Sequence, residues 1–239
     1  MKRSKKLIIA ILVVILLGLL AVIAGFFMGG PDLSQEDKTI LVLAADKYEQ
    51  PNGGCDMAYL VRLENGSLAN YTPVYPGGMY HPSQSAPGSL SGNMLLHDCL
   101  WNGVQDGMQY AKEIVAYHTG VEADAVVVIY DEGVDHVLDS IRPLKVNGEV
   151  TNLSATDIIR ENDNYAGYKG NSGVTGTMSR ADAVMVLVKA VMKTIKDPAK
   201  KSALMNAALQ EYNNGNIIMA PEGSFARLLA TKGLESLAN

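Results

Sequence analysis

Beyond its first six residues the chain is short of basic side chains. Setting aside Lys2, Arg3, Lys5 and Lys6 leaves 16 Lys and Arg against 25 Asp and Glu, a net charge of −9. Phosphate backbones are held by basic surfaces, so nucleic acid is excluded as a partner. The same deficit argues against this part lying flat on anionic lipid. Cysteine is scarcer still, with only Cys55 and Cys99. The four histidines, His81, His97, His118 and His136, show no zinc-ligand spacing. A nucleophile elbow is missing, because Gly88-Ser89-Leu90-Ser91-Gly92 puts serines beside the position that motif requires. There is no phosphate-cradling P-loop and no internal repeat.

What the chain does have is one long apolar run. Leu7 to Met28 are 22 consecutive apolar or glycine residues without a charge. As a helix they span about 33 Å, enough for a hydrocarbon core of about 30 Å. Basic residues precede the run, and Asp32, Glu36 and Asp37 follow it. The positive-inside rule then keeps the N-terminus cytoplasmic and places the rest outside. The competing reading is a signal peptide cleaved after Ala24, but the run continues through Phe26, Phe27 and Met28. The expected organisation is a cytoplasmic tail (1–6), a transmembrane signal anchor (7–28), a linker (29–38) and an extracytoplasmic domain (39–239) at the cell membrane. That compartment permits a disulfide, and the loop positions of Cys55 and Cys99 bring them close; two buried free thiols are the alternative. Of three Asn-x-Ser/Thr acceptors, Asn65 precedes Gly66 in a hairpin-turn pair. Asn70 and Asn152 are therefore the glycosylation candidates.

Periodicity predicts strands at Thr39–Ala45, Met57–Leu63 and Ser67–Val74, the last two joined by Asn65-Gly66. A long Gly-, Pro- and Ser-rich loop runs from Tyr75 to Gly92. A helix follows over Gly103–Thr119, then a fully buried strand over Asp124–Tyr130 and a helix over Glu132–Ile141. Asn147-Gly148 marks a small hairpin. Ser154 and Ser179 cap further helices, and Asp197-Pro198 opens another. In the Ser179 helix Val184, Leu187, Val188, Val191, Met192 and Ile195 should face the core. Asn162–Thr177 reads as a second loop, Asn216–Ala220 as a strand and Ser224–Leu237 as a closing helix. The fold class is α/β, a mixed β-sheet flanked by helices and preceded by one transmembrane helix.

Three segments carry a family resemblance: Ile40-Leu41-Val42-Leu43-Ala44-Ala45-Asp46, Cys55-Asp56-Met57-Ala58, and Tyr71-Thr72-Pro73-Val74-Tyr75-Pro76-Gly77-Gly78. With Ala125–Ile129 and Ser179-Arg180-Ala181-Asp182 they resemble the exported LytR-CpsA-Psr domain. The likeness is closer to a related uncharacterised envelope domain of archaea and bacteria, of the DUF4012 type. The resemblance implies a membrane-anchored α/β domain that moves glycopolymers from polyprenyl-pyrophosphate carriers to the cell wall. It implies an apolar tunnel for the lipid, Mg2+ held by Asp46 and Asp56, and a catalytic set of Asp46, Asp56 and Arg180. The chain also departs from the pattern. Pro76 is followed by Gly77 and Gly78 where an arginine is expected, Gly54 replaces the arginine before Asp56, and Ala183 and Val184 replace an arginine and a glutamine. Arg160 is a candidate substitute without a secure alignment. Magnesium and arginine are the usual partners of pyrophosphate, and an acidic domain with few arginines holds it poorly. The expectation is therefore a cell-envelope domain that binds a glycan or lipid-linked carrier, the partner being a polyprenyl-linked glycan or cell-wall polymer. The alternative is a Mg-dependent phosphotransferase. His97-Asp98 could make a general base and its orienter, but sequence neighbours rarely face one another, and a local backbone role is expected.

Overall fold

The computed structural model describes residues 32–74, 78–164, 176–224, 227 and 228. The apolar run at 7–28, most of the second loop and most of the closing helix lie outside the described residues. No helix among the described residues is long and apolar enough to cross a membrane.

The sheet begins with a pair of antiparallel hairpin connections. Strand β1 (Asp37–Asp46) pairs with β2 (Gly54–Glu64), and β2 with β3 (Ser67–Val74). Asn65 and Gly66 have φ of 48° and 69°, the left-handed geometry that makes Asn-Gly a tight hairpin turn. The β1–β2 turn needs Gly53, at φ 99°, because a Cβ there would come 2.8 Å from the Tyr130 ring. Helix α1 (Val104–Thr119), ended by Gly120 in the left-handed conformation, crosses over to β6 (Ala125–Tyr130), which runs parallel to β1. The order of the five-stranded mixed sheet is β3-β2-β1-β6-β9, with β9 (Ile217–Ala220) antiparallel to β6.

Helices cover both faces, as the continuous apolar sequence of β6 requires. On one face Met108, Ala111, Ile114 and Val115 of α1 pack on Leu41, Leu43, Ala58, Val126 and Val128. On the other lie α2 (Asp131–Asp139), α3 (Ala155–Asn162), α4 (Arg180–Thr194) and α5 (Pro198–Asn213). Three caps form as expected: Ser154, Ser179 and Asp197 accept from the backbone N–H groups of Asp157, Asp182 and Ala199. A hairpin of β7 (Leu144–Val146) and β8 (Glu149–Thr151) turns at Asn147-Gly148.

Two expectations are corrected. The Tyr75–Gly92 loop contains β4 (Tyr80–Ser85), which pairs with β5 (Asn93–Leu95) as a separate small sheet. Buried His81 holds it, accepting at Nδ1 from the N–H groups of Ser83 and Gln84 and donating from Nε2 to Glu113 at 2.7 Å. On α4, Met192 is exposed, and the fully buried positions are Ala183, Leu187 and Ala190. Val184 and Val188 are half-buried and face an open space beneath the sheet.

Candidate functional site

That space is a cavity of about 450 Å³ between the sheet and helices α2, α3 and α4. Its position follows from strand alternation. Val42 and Ala44 of β1, Met57 and Tyr59 of β2 and Ile129 of β6 all point to this face, while Leu43, Ala58 and Val128 point to α1. Small side chains at Ala44 and Ala155 leave room, and Val184, Leu187 and Val188 form the opposite wall. Most of the lining is apolar; one part is acidic.

Asp46, Asp56 and Asp131 line the cavity together with Arg160. Each acid arrives by a different route. The parallel pairing of β1 and β6 ends at Ala45 and Tyr130, so Asp46 and Asp131 follow at adjacent carboxyl ends, the place where open α/β sheets put their ligands. Asp56 depends on a bulge. Ala44 pairs with Met57 and Ala45 with Cys55, so Asp56 is an extra residue between them. Regular pairing would set Asp56 opposite Ala45 on the α1 face; the inserted residue re-aims it, as bulges commonly do. The loop after β1 is pinned on several sides. The Tyr48 N–H donates to Asp46 Oδ1 at 2.9 Å, and its hydroxyl donates to Glu132 at 2.6 Å. Lys47 reaches Asn216 Oδ1 at 3.0 Å.

Asp46 and Asp56 thus share one cavity, and the lining arginine is Arg160. Arg180 is held beside it, its Nε 3.1 Å from Asp163, which Arg160 also reaches at 3.3 Å. Asp163 is buried, so this pairing fixes the arginines between the ends of α3 and α4. Asp46 and Asp56 offer carboxylate oxygens, the donor type that Mg2+ prefers.

Sequence reasoning missed Asp131, although it follows an apolar strand as Asp46 does. It also misjudged His97 and Asp98. Their side chains meet directly, His97 Nδ1 lying 2.7 Å from Asp98 Oδ1. The tight turn in which the Asp98 N–H donates to Leu95 O allows it. Burial pulls the His97 imidazole down, but the Asp98 hydrogen bond and the charges of Glu49, Asp98 and Asp56 outweigh it and hold it above its ordinary value. Cys55 and Cys99 are free and buried in the α1-side core. Burial pushes both thiols up, Cys99 to about 12. Asn70 and Asn152 are exposed.

Solved structures share this architecture. TagV from Bacillus subtilis superposes with TM-score 0.55 at 14% identity, over 84% of this chain and 80% of that one. The protein gbs0355 from Streptococcus agalactiae gives 0.54 at 15% identity, over 85% and 75%. A LytR-Csp2A-Psr enzyme from Actinomyces oris matches over 88% and 84% at 16% identity, with a TM-score of 0.45 that adds no weight. No curated protein matches the sequence. The mixed sheet, its helical layers and the element order place the chain in the α/β fold that these structures share. Within that class the chain belongs to the DUF4012 family, described as a protein of unknown function, whose sequence model matches residues 35–165.

Proposed function

We propose that this is a membrane-tethered, extracytoplasmic envelope domain that binds a lipid-linked carrier of the polyprenyl phosphate kind. The observation that carries the reading is the cavity itself: mostly apolar walls that end at Asp46, Asp56, Asp131 and Arg160. Apolar lining with a few convergent polar groups is the usual composition of a small-molecule site. An isoprenoid tail gains by leaving water for such walls. A phosphate head would meet Arg160 directly and the carboxylates through a divalent cation, which Asp46 and Asp56 would hold. The cation supplies the positive charge that the acidic site otherwise lacks. The 7–28 run keeps the domain at the membrane surface where such carriers reside.

Asp46 and Asp56 in one cavity favour a second reading, Mg-dependent transfer of a glycopolymer from its pyrophosphate carrier to the wall. Here Asp46 and Asp56 position the cation and Arg160 steadies phosphate charge, with Arg180 acting through its shared partner Asp163.

Both readings are tested by extracting the full chain from its native membranes in mild detergent and analysing it by mass spectrometry. Polyprenyl phosphate or its glycosylated form should copurify, and Ala44→Phe, which fills the cavity, should lose it while keeping its thermal midpoint. Recovery of no lipid would overturn the carrier reading. Asp46→Asn and Asp56→Asn change envelope composition only if the domain transfers; an unchanged envelope leaves binding alone.

A further inference from the structure

Beside the acidic end of the cavity, a second group of side chains converges. Carboxylate oxygens of Glu49 and Asp56 and a ring nitrogen of His97 all lie within 4.8 Å of one another. They come from three places: the loop after β1, the bulge of β2 and the turn after β5. His97 is fixed from two directions. Its carbonyl accepts from the Cys55 N–H at 2.9 Å, and its Nδ1 faces Asp98 at 2.7 Å. Asp98 is buried, and the Gln50 amide donates to the same oxygen at 2.7 Å. With Nδ1 taken up by Asp98 and approached by the Gln50 amide nitrogen at 3.1 Å, Nε2 is the ring nitrogen left for a ligand, and it lies 3.4 Å from Glu49. Metal-binding histidines habitually donate their other N–H to a carboxylate in this way, which fixes both tautomer and ring orientation.

Gly54 completes the arrangement. A Cβ there would stand 2.7 Å from Glu49 Oε2 and 3.2 Å from His97 Nε2. Its φ is not in the left-handed region, so the backbone does not demand glycine; a Cβ here would instead displace the Glu49 carboxylate from beside His97.

We propose that Glu49, Asp56 and His97 form a binding site for a divalent transition metal of the zinc class. One imidazole nitrogen with two carboxylates suits such ions, whereas magnesium prefers oxygen alone. Three protein ligands leave a position open to water or to a ligand oxygen. Asp56 also lines the cavity, so the ion would sit at its acidic end. The inference does not depend on a lipid occupying the cavity.

The test is calorimetric titration of the metal-stripped full chain, in detergent, with Zn2+ in excess Mg2+. One Zn2+ per chain should bind, and His97→Gln and Glu49→Gln should each weaken it about tenfold or more. Gly54→Ala should weaken it too. Thermal midpoints without metal report whether each variant folds, and the midpoint rise given by Zn2+ in the parent should shrink in Glu49→Gln. Absence of Zn2+ binding overturns the proposal, leaving His97 paired with Glu49 and Asp98. So does equal binding by Glu49→Gln, whose exposed carboxylate can be neutralised without disturbing the core.

Discussion

Glu211 on α5 is buried, yet its carboxylate is fully occupied. It accepts from Asn216 Nδ2 at 2.7 Å and Asn214 Nδ2 at 3.2 Å, and faces His136 Nδ1 at 3.2 Å. Burial pushes its carboxyl up, but these partners outweigh burial and hold it below the ordinary carboxylate value. A carboxyl depressed on folding stabilises above its unfolded value of about 4.3 and loses that contribution as pH falls through the folded value. Urea unfolding between pH 7 and 3 should therefore show stability dropping on the acid side, with a shallower drop in Glu211→Gln. The consequence reaches the site, because Asn216 also receives Lys47 and its carbonyl accepts the Tyr130 N–H at 3.0 Å. At this scale the sequence showed Asp46 and Asp56 but not what makes Asp56 useful. A single inserted residue leaves no trace in composition or periodicity.

At the scale of elements, β1, β2, β3, β6 and the capped helices were legible because apolar period, Asn-Gly turns and cap residues agree. Strands β4 and β5 were not, since Tyr80-His81-Pro82-Ser83-Gln84-Ser85 has no apolar alternation and is held by one buried polar ring. The resemblance implied an apolar tunnel, but its lining was equally hidden: Val184 and Val188 sit at the same helical spacing as Leu187, and only the helix's stand-off from the sheet separates lining from core. That difference is measurable. Leu43, fully buried against α1, should cost about 2–5 kcal/mol when cut to alanine, in the range of large-to-small core changes. Val184→Ala removes carbons that already border open space, and should cost far less in the same chemical denaturation series. Equal losses would mean that the cavity wall is packed like the core.

On the scale of the whole molecule, the N-terminal run and the domain's −9 charge work together. A domain this acidic is repelled by anionic headgroups, so the membrane attachment proposed above falls to the run. The full chain should sediment with membranes through a high-salt wash, and removal of residues 1–28 should release the domain to the soluble fraction; sedimentation of the truncated chain would assign attachment to the domain surface. The bulge at Asp56 has a consequence at this scale as well. One carboxylate borders the cavity and also belongs to the His97 cluster, so occupancy on its two sides would not be independent. By thermodynamic reciprocity, whatever factor an ion beside His97 applies to the affinity for a headgroup, the headgroup applies to the ion. A cargo-holding domain built this way would sense, in the same side chain, the metal supply of its surroundings.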